Sequence, residues 1–325
     1  MKRRKGNISS LSALSSLPSP CRSRDQAYQL TNVLGEGAQS LVYSAVCKQT
    51  GEPVAVKEIK NHRNVAYPVA DYFREISILR YLPPHAALVN LLEVVASESK
   101  LLLIFELCEM NLREWLDKHG VLRGTALAGA ARQLFTAVSH IHEHGVMHRD
   151  IKPQNFLIKD GRMKLADFGL AKRLPQLLWQ EAPLTLQVAS LWYRPPELML
   201  GAQRYDDSMD IWACGCVLFE MATGQVLFQG ESEIATVFKM FMRLGTPSSL
   251  DHLPHYSHRF PKWQAKAATA NLSKELSHEQ GCADLLLRCV EFKPSQRITA
   301  RDAIATEWLT IVHEVADSPS PIGLF

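Results

Sequence analysis

The positions of apolar and polar residues divide the chain into a strand-patterned first third and a helix-patterned remainder. Tyr28-Gln-Leu-Thr-Asn-Val-Leu-Gly35 alternates and stops at a glycine turn, and Leu41-Val-Tyr-Ser-Ala-Val46 resumes the alternation, which predicts a β-hairpin. Glu52-Pro-Val-Ala-Val-Lys57-Glu-Ile59 predicts a third strand, and Leu91–Val95 and Leu101–Phe105 predict two more. Between them, Tyr72-Phe-Arg74-Glu75-Ile-Ser-Ile-Leu-Arg-Tyr-Leu82 carries apolar residues at helical spacing, and Pro83-Pro84 stops the helix. After Asn111 the spacing is mostly helical. The pattern predicts an α+β protein: a small β-rich lobe with one main helix, then a larger α-rich lobe, joined near Glu106-Leu107-Cys108-Glu109.

Composition narrows the class. A chain of 325 residues is long enough for two lobes with sizeable cores, and 46% hydrophobic against 21% charged residues suits a soluble globular protein. A net charge of +3 makes no case for nucleic-acid binding, and no apolar run reaches the length of a membrane-spanning helix. The seven cysteines are odd in number and scattered, which fits a reducing compartment better than a disulfide framework. Cys214 and Cys216 lie in an apolar run and read as buried core. Residues 1–25 differ: Lys2-Arg3-Arg4-Lys5 is followed by a serine-rich stretch that cannot bury a core, so a disordered tail is expected, read as a solvated tail, a nuclear-import patch or an organelle transit peptide. Residues 313–325 read as a second loose tail, leaving 26–312 as the folded domain, divided near residue 108.

The chemistry is concentrated in His148-Arg149-Asp150-Ile-Lys152-Pro-Gln-Asn155 and in Asp167-Phe168-Gly169. Phosphoryl transfer to a hydroxyl needs a carboxylate for the hydroxyl proton, a cation for the moving group and oxygen ligands for magnesium, and these two segments hold all three. Asp and Asn in polar loops also serve as caps, and the histidines at 140, 142, 144 and 148 admit a metal cluster as a competing reading. Upstream, Gly35-Glu36-Gly37-Ala38-Gln39-Ser40 suits a backbone that must approach phosphate closely, or simply a tight hairpin. Val54-Ala55-Val56-Lys57 follows it, and Glu75 lies on the predicted helix beyond.

Together these segments resemble the eukaryotic protein kinases, over roughly residues 28–312. The resemblance implies the bilobal kinase fold, ATP as phosphoryl donor and Mg2+ as cofactor. It implies Asp150 as catalytic base, Lys152 near the γ-phosphate as in serine/threonine kinases, and Asn155 and Asp167 as metal ligands. Lys57 would contact the α/β-phosphates and pair with Glu75. The ATP site would take in Leu34, Gly35, Glu36, Gly37, Ala38, Gln39, Ser40, Val42, Ala55, Phe105, Glu106, Leu107, Cys108 and Leu157. Ser40 stands where the family has its third loop glycine.

Leu191-Trp192-Tyr193-Arg194-Pro195-Pro196-Glu197 resembles the group that holds the cyclin-dependent and mitogen-activated kinases, with proline where alanine is usual at 195. Gly230-Glu-Ser-Glu-Ile234, Arg243-Leu-Gly-Thr-Pro247 and Phe260-Pro-Lys-Trp263 are similar to landmarks of the cyclin-dependent branch. In that branch Arg194, with Ser190, forms a pocket favouring proline after the target hydroxyl. The resemblance implies Thr185 as the activating phosphosite, written by an upstream kinase, with Arg74, Arg149 and Lys172 receiving the phosphate. Glu197 and Arg297 would form a buried pair. The implied partners are Ser/Thr-Pro protein substrates and a cyclin or cyclin-like activator, in the nucleus or cytoplasm, with neither nucleic acid nor membrane. Two alternatives stay open: a cyclin-independent kinase of the same group, and a pseudokinase scaffold, which would require a lost Lys57, Asp150 or Asp167. Ala38 and Gln39 stand where many cell-cycle members carry an inhibitory Thr-Tyr pair.

Overall fold

The computed structural model describes residues 27–37, 40–59, 70–96, 101–173, 191–202, 204–248, 250 and 253–310. The two expected tails, Ala38, Gln39, Thr185 and Ser190 lie outside the described residues. The chain forms two compact units, residues 1–69 with 90–107, and residues 70–89 with 108–325.

The first unit is an antiparallel sheet of β1 (Tyr28–Glu36), β2 (Ser40–Cys47), β3 (Pro53–Ile59), β4 (Leu91–Ala96) and β5 (Leu101–Glu106), in the order β1-β2-β3-β5-β4. The period-two alternation gives the sheet two different faces. Ala45, Val54, Val56, Val95, Leu102 and Ile104 are all buried and form one small core. Register places the opposite set together: Val42 lies across from Lys57, and Ala55 across from Phe105. Lys57 and Ala55 are two residues apart on β3, so the four share the face away from that core.

The second unit begins with α1 (Ala70–Tyr81), ended by Pro83-Pro84 as the sequence predicts. By contacts this helix belongs to the second unit, whereas the division at residue 108 counts it with the strands. Next come β6 (Met110–Asn111) and α2 (Leu112–His119). Asn111 starts α2 with a capping box: its side chain accepts the Glu114 amide at 3.0 Å, and the Glu114 carboxylate accepts the Asn111 amide at 3.0 Å. Helix α3 (Gly124–Glu143) runs through the core, with Leu134 and Phe135 fully buried. Truncating Phe135 to alanine would cost about 3–5 kcal/mol.

Short strands follow that the apolar pattern does not announce: β7 (Val146–Met147), β8 (Phe156–Lys159), β9 (Arg162–Leu165) and β10 (Lys172–Arg173), pairing as β6-β8-β9 and β7-β10. At two to four residues they are too short to show a period. They bracket the chemical segments: residues 148–155 lie between β7 and β8, and 166–171 between β9 and β10.

Helices α4 (Pro196–Met199), α5 (Ser208–Thr223), α6 (Glu233–Leu244), α7 (Ala265–Glu275), α8 (Gln280–Cys289) and α9 (Ala300–Ile304) complete the unit. Residues 209–222 of α5 are all buried, so this helix is the core's axis. Cys214 and Cys216 are part of that burial, which pushes both thiols well up in pKa and leaves them inert. Gly215 lets α8 approach, since a Cβ there would lie 2.8 Å from Cys289 Cβ. Two carboxylates interrupt the apolar surface of α5, Asp210 and Glu220, each 1% exposed. Buried charges need partners, and theirs lead to the site.

Candidate active site

Asp210 holds the loop that follows β7. Its Oδ2 accepts the His148 amide at 2.8 Å and its Oδ1 accepts the Arg149 amide at 2.8 Å. His142 Nε2, from the last turn of α3, lies 3.0 Å from Oδ2 and donates to it. Burial acts to raise the Asp210 carboxyl, but the His142 side chain and the His148 amide outweigh it and hold the pKa below the ordinary carboxylate range. Arg149 takes a left-handed backbone, φ 68°, a conformation that costs free energy unless its surroundings enforce it. The two amide bonds to one carboxylate supply that enforcement.

His148 joins the two chemical segments. Its ring is fully buried; Nε2 donates to the Ala166 carbonyl at 2.9 Å, and Nδ1 accepts the Asp150 amide at 3.3 Å. Phe168 meets the ring edge-on at 5.0 Å. The Ala166 amide donates back to the Asn155 carbonyl at 2.8 Å. His148 is therefore the support between loops that its position in the motif suggests. The neighbouring imidazoles pack on one another: His85 stacks on His140 at 4.3 Å, His140 meets His144 tilted at 4.7 Å, and His140 Nε2 lies against the Pro83 carbonyl.

Within this frame the structure brings Asp150, Lys152 and Asn155 together. Lys152 Nζ donates to Asp150 Oδ2 at 2.7 Å, and Asn155 Nδ2 donates to the same oxygen at 3.0 Å and to the Asp150 carbonyl at 2.7 Å. Asp150 and Asn155 are buried, at 8% and 6% exposure, so these bonds form largely out of water, where they are stronger. Asp167 follows β9 with φ 60°, and its Oδ1 lies 3.5 Å from where a Cβ on Gly169 would stand.

A second constellation lies beside it. Arg149 Nε donates to the Leu170 carbonyl at 2.5 Å and Nη1 to the Tyr205 hydroxyl at 2.9 Å. Arg74 Nη1 donates to the Gly169 carbonyl at 3.4 Å, which ties α1 to the same turn. Lys172 is depressed below the usual lysine range, first by burial and then by the charges of Arg149 and Arg74. Of the three cations expected to receive a phosphate, Arg149 and Arg74 thus both bear on Lys172. Glu75, one residue along α1 from Arg74, is 3% exposed.

The segment 191–197 is anchored into the larger unit. Arg297 forms a bidentate pair with Glu197, both bonds 2.7 Å, and also donates to the Glu291 carbonyl at 2.8 Å. The expected buried pair is present. Arg194 is 8% exposed and donates to Glu233 at 2.6 Å. In the first unit, Gly35 pairs with Val42 across the hairpin, while Leu34 is 51% exposed. Glu36 and Gly37 close the β1 side of the turn and Ser40 opens β2; Glu106 and Leu107 end the unit after β5. Cys108 and Leu157, the latter on β8, belong to the second unit.

Sequence reasoning missed Asp210, Glu220, Tyr205 and Arg113. For the two acids a signal existed: an Asp and a Glu inside the apolar run 209–222 are costly unless partnered.

This arrangement can accept a hydroxyl proton at Asp150, place a cation beside it, and offer oxygen ligands at Asn155 and Asp167. Residues 28–309 match the family described as Protein kinase domain. The chain is also 37% identical over 305 residues to "Cell division control protein 2 homolog 3" of Trypanosoma brucei brucei, covering 90% of this chain and 95% of that protein. By these two matches the chain belongs to the eukaryotic protein kinases, in their cyclin-dependent-kinase-like group.

Proposed function

We propose that this kinase transfers the γ-phosphoryl group of ATP to serine and threonine hydroxyls, favours proline after the target, and is switched on by a cyclin-like partner together with phosphate on Thr185. The observation that carries the reading is the sharing of one Asp150 oxygen by Lys152 and Asn155. It leaves Oδ1 as the carboxylate oxygen engaged by neither, suited to accept the substrate hydroxyl's proton. A lysine two residues after the base is the arrangement that the resemblance associates with serine/threonine specificity.

The donor set suits Mg2+. Asn155 commits its Nδ2 to Asp150, so its amide oxygen is the atom left for a cation, and the Asp167 carboxylate supplies another hard oxygen. Asn155 and Asp167 would hold the ion, whose chemistry when bound is to neutralise charge on the phosphate oxygens. Lys57, on the sheet face with Val42, Ala55 and Phe105, would serve the nucleotide.

Activation follows from the cation trio. Arg74, Arg149 and Lys172 crowd together, and a phosphate carrying roughly −1.5 to −2 charge at neutral pH would relieve their repulsion. Arg74 and Glu75 share α1, so a partner bearing on that helix would reach both the trio and the nucleotide lysine's expected partner. The trypanosome relative's name, which speaks of cell division control, supports a regulatory kinase of this kind. Without hydroxyls at Ala38 and Gln39, inhibitory phosphorylation at those loop positions is ruled out by chemistry. We assign action to the nucleus or cytoplasm.

The test is phosphorylation of matched peptides carrying Ser-Pro, Thr-Pro, Ser-Ala and Tyr-Pro, with Mg-ATP, with and without candidate cyclins. The expected order is Ser-Pro and Thr-Pro well above Ser-Ala, with no transfer to tyrosine, and stimulation by one cyclin. Equal rates with every cyclin and with none would move the chain to the cyclin-independent branch. No transfer under any condition would make it a scaffold.

A further inference from the structure

Glu220, the second buried carboxylate of α5, is held from two sides. Its Oε2 accepts the Tyr193 hydroxyl at 2.6 Å, and its Oε1 accepts Nη1 of Arg113 from α2. Arg113 Nη2 also donates to Asp117, one turn further along α2, at 2.6 Å. Burial acts to lower the Arg113 pKa, but its bonds to Asp117 and Glu220 outweigh it, so the guanidinium stays charged. Burial first, then Glu220, pushes the Tyr193 hydroxyl far above its usual range, so it remains a donor at any working pH.

Tyr193 ends the 3-10 turn Leu191–Tyr193, and Arg194 follows it directly. The turn has two further anchors: Trp192 Nε1 donates to the Gly230 carbonyl at 2.9 Å, and Arg194 reaches Glu233 at 2.6 Å. Both lead to α6 and the residues before it. Gly230 lies so near that helix that a Cβ would stand 2.5 Å from the Thr236 amide. The Tyr193 anchor alone runs to the core axis, and it ends on a charge almost wholly out of water. A buried carboxylate left with one neutral donor is strongly destabilised, so the anchor holds only while its cation is in place.

We propose that Arg113 is a positioning residue for the substrate-binding turn: by neutralising Glu220 it holds Tyr193, and through Tyr193 the backbone that presents Arg194. The proposal rests on the reading of Arg194 as part of the protein-substrate site. Arg113 touches none of the reacting groups. Its loss misplaces the peptide's seat while the Asp150 loop, held by Asp210 and His148, keeps its form.

The test uses the full chain in five forms: wild type, Arg113→Met, Arg113→Lys, Tyr193→Phe and the Arg113→Met/Tyr193→Phe double variant. The substrate is whichever peptide the wild type phosphorylates. Arg113→Met is expected to raise the peptide KM by about 5- to 10-fold, with kcat and the KM for ATP within about twofold, the pattern of lost ground-state binding. Arg113→Lys, which keeps the charge, recovers most of the loss. The double variant is no worse than the single, because both act through Glu220. Amide hydrogen exchange over residues 191–197 provides a readout that needs no substrate, and faster exchange is expected in Arg113→Met. Unchanged peptide KM and unchanged exchange in Arg113→Met overturn the proposal. So does a parallel loss of kcat, ATP affinity and thermal stability in the Met and Lys variants alike. A wild type with no peptide activity defeats the functional reading alone, and the exchange experiment still decides the role of Arg113.

Discussion

The Asp150 loop and the cation trio sit side by side and are built on opposite electrostatic principles. Around Asp150 each charge has its complement: Lys152 and Asn155 on its own carboxylate, and the His148 and Arg149 amides on Asp210. In the trio, Lys172 is depressed first by burial and then by the like charges of Arg149 and Arg74. One region is organised by the chain itself. The other gathers like charges, which the proposed phosphate on Thr185 would offset. Arg149 belongs to both, its amide to the first and its guanidinium to the second. That gives a short physical route from a phosphate to the base: whatever seats the guanidinium also bears on the residue immediately before Asp150.

The sharpest way to break the comparison is to strike the completed region. Asp167→Asn should cut protein phosphorylation by about a thousandfold or more, several kcal/mol of transition-state stabilisation, with the thermal midpoint nearly unmoved. A variant working at the wild-type rate would remove Asp167 from the metal site. Glu197→Gln strikes the fold instead: it leaves the buried Arg297 without its counter-charge and should cost about 3–5 kcal/mol in denaturant unfolding.

Asp210→Asn probes the support of the loop. It keeps the shape but weakens the hold on two amides and on a left-handed Arg149, and a fall in kcat of about 10- to 100-fold is expected, roughly 1.4–2.7 kcal/mol. Its pH signature has a definite sign. The folded carboxyl titrates below its unfolded value of about 3.9, so its stabilisation is full above that pH and is lost as pH falls through the folded value. Acid unfolding of Asp210→Asn should therefore be flatter in that window. Equal acid limbs for wild type and variant would show that Asp210 does not carry it.

The trio responds to smaller changes. Thr185→Ala should lower activity about tenfold relative to the phosphorylated wild type, and Thr185→Glu should recover only part, having one negative charge in place of nearly two. Equal activity of wild type and Thr185→Ala, with phosphate confirmed on the former, would detach the trio from activation. Lys172→Met is the gentlest probe. Removing one of three crowded cations should raise the thermal midpoint of the unphosphorylated chain by about a degree or two, while blunting its response to phosphate. A lowered midpoint would mean that the crowding carries no cost.

How far the sequence could be read depends on the kind of signal. The five strands of the first unit were legible because period-two alternation reports a sheet with one buried face, and Ala45, Val54, Val56, Leu102 and Ile104 supply that face. Helix α1 was legible from its spacing and its terminating prolines. Strands β6 to β10 were not, being too short for any period. In the site, Asp150, Lys152 and Asn155 were legible because they stand within a few residues of one another and so leave a local motif, and Asp167 because it opens a second one, Asp167-Phe168-Gly169.

What the sequence determined by itself was therefore the pieces that interact at short range: the alternating strands, helix α1, the loop in which Asp150, Lys152 and Asn155 stand, and the family. Tertiary structure alone decided who holds them. Asp210 reaches the catalytic loop across 61 residues of sequence, Glu197 meets Arg297 across 100, and Glu220 joins Tyr193 to Arg113. A buried carboxylate must find a partner, but nothing local says which. The fold makes that choice when it brings distant donors to one place out of water.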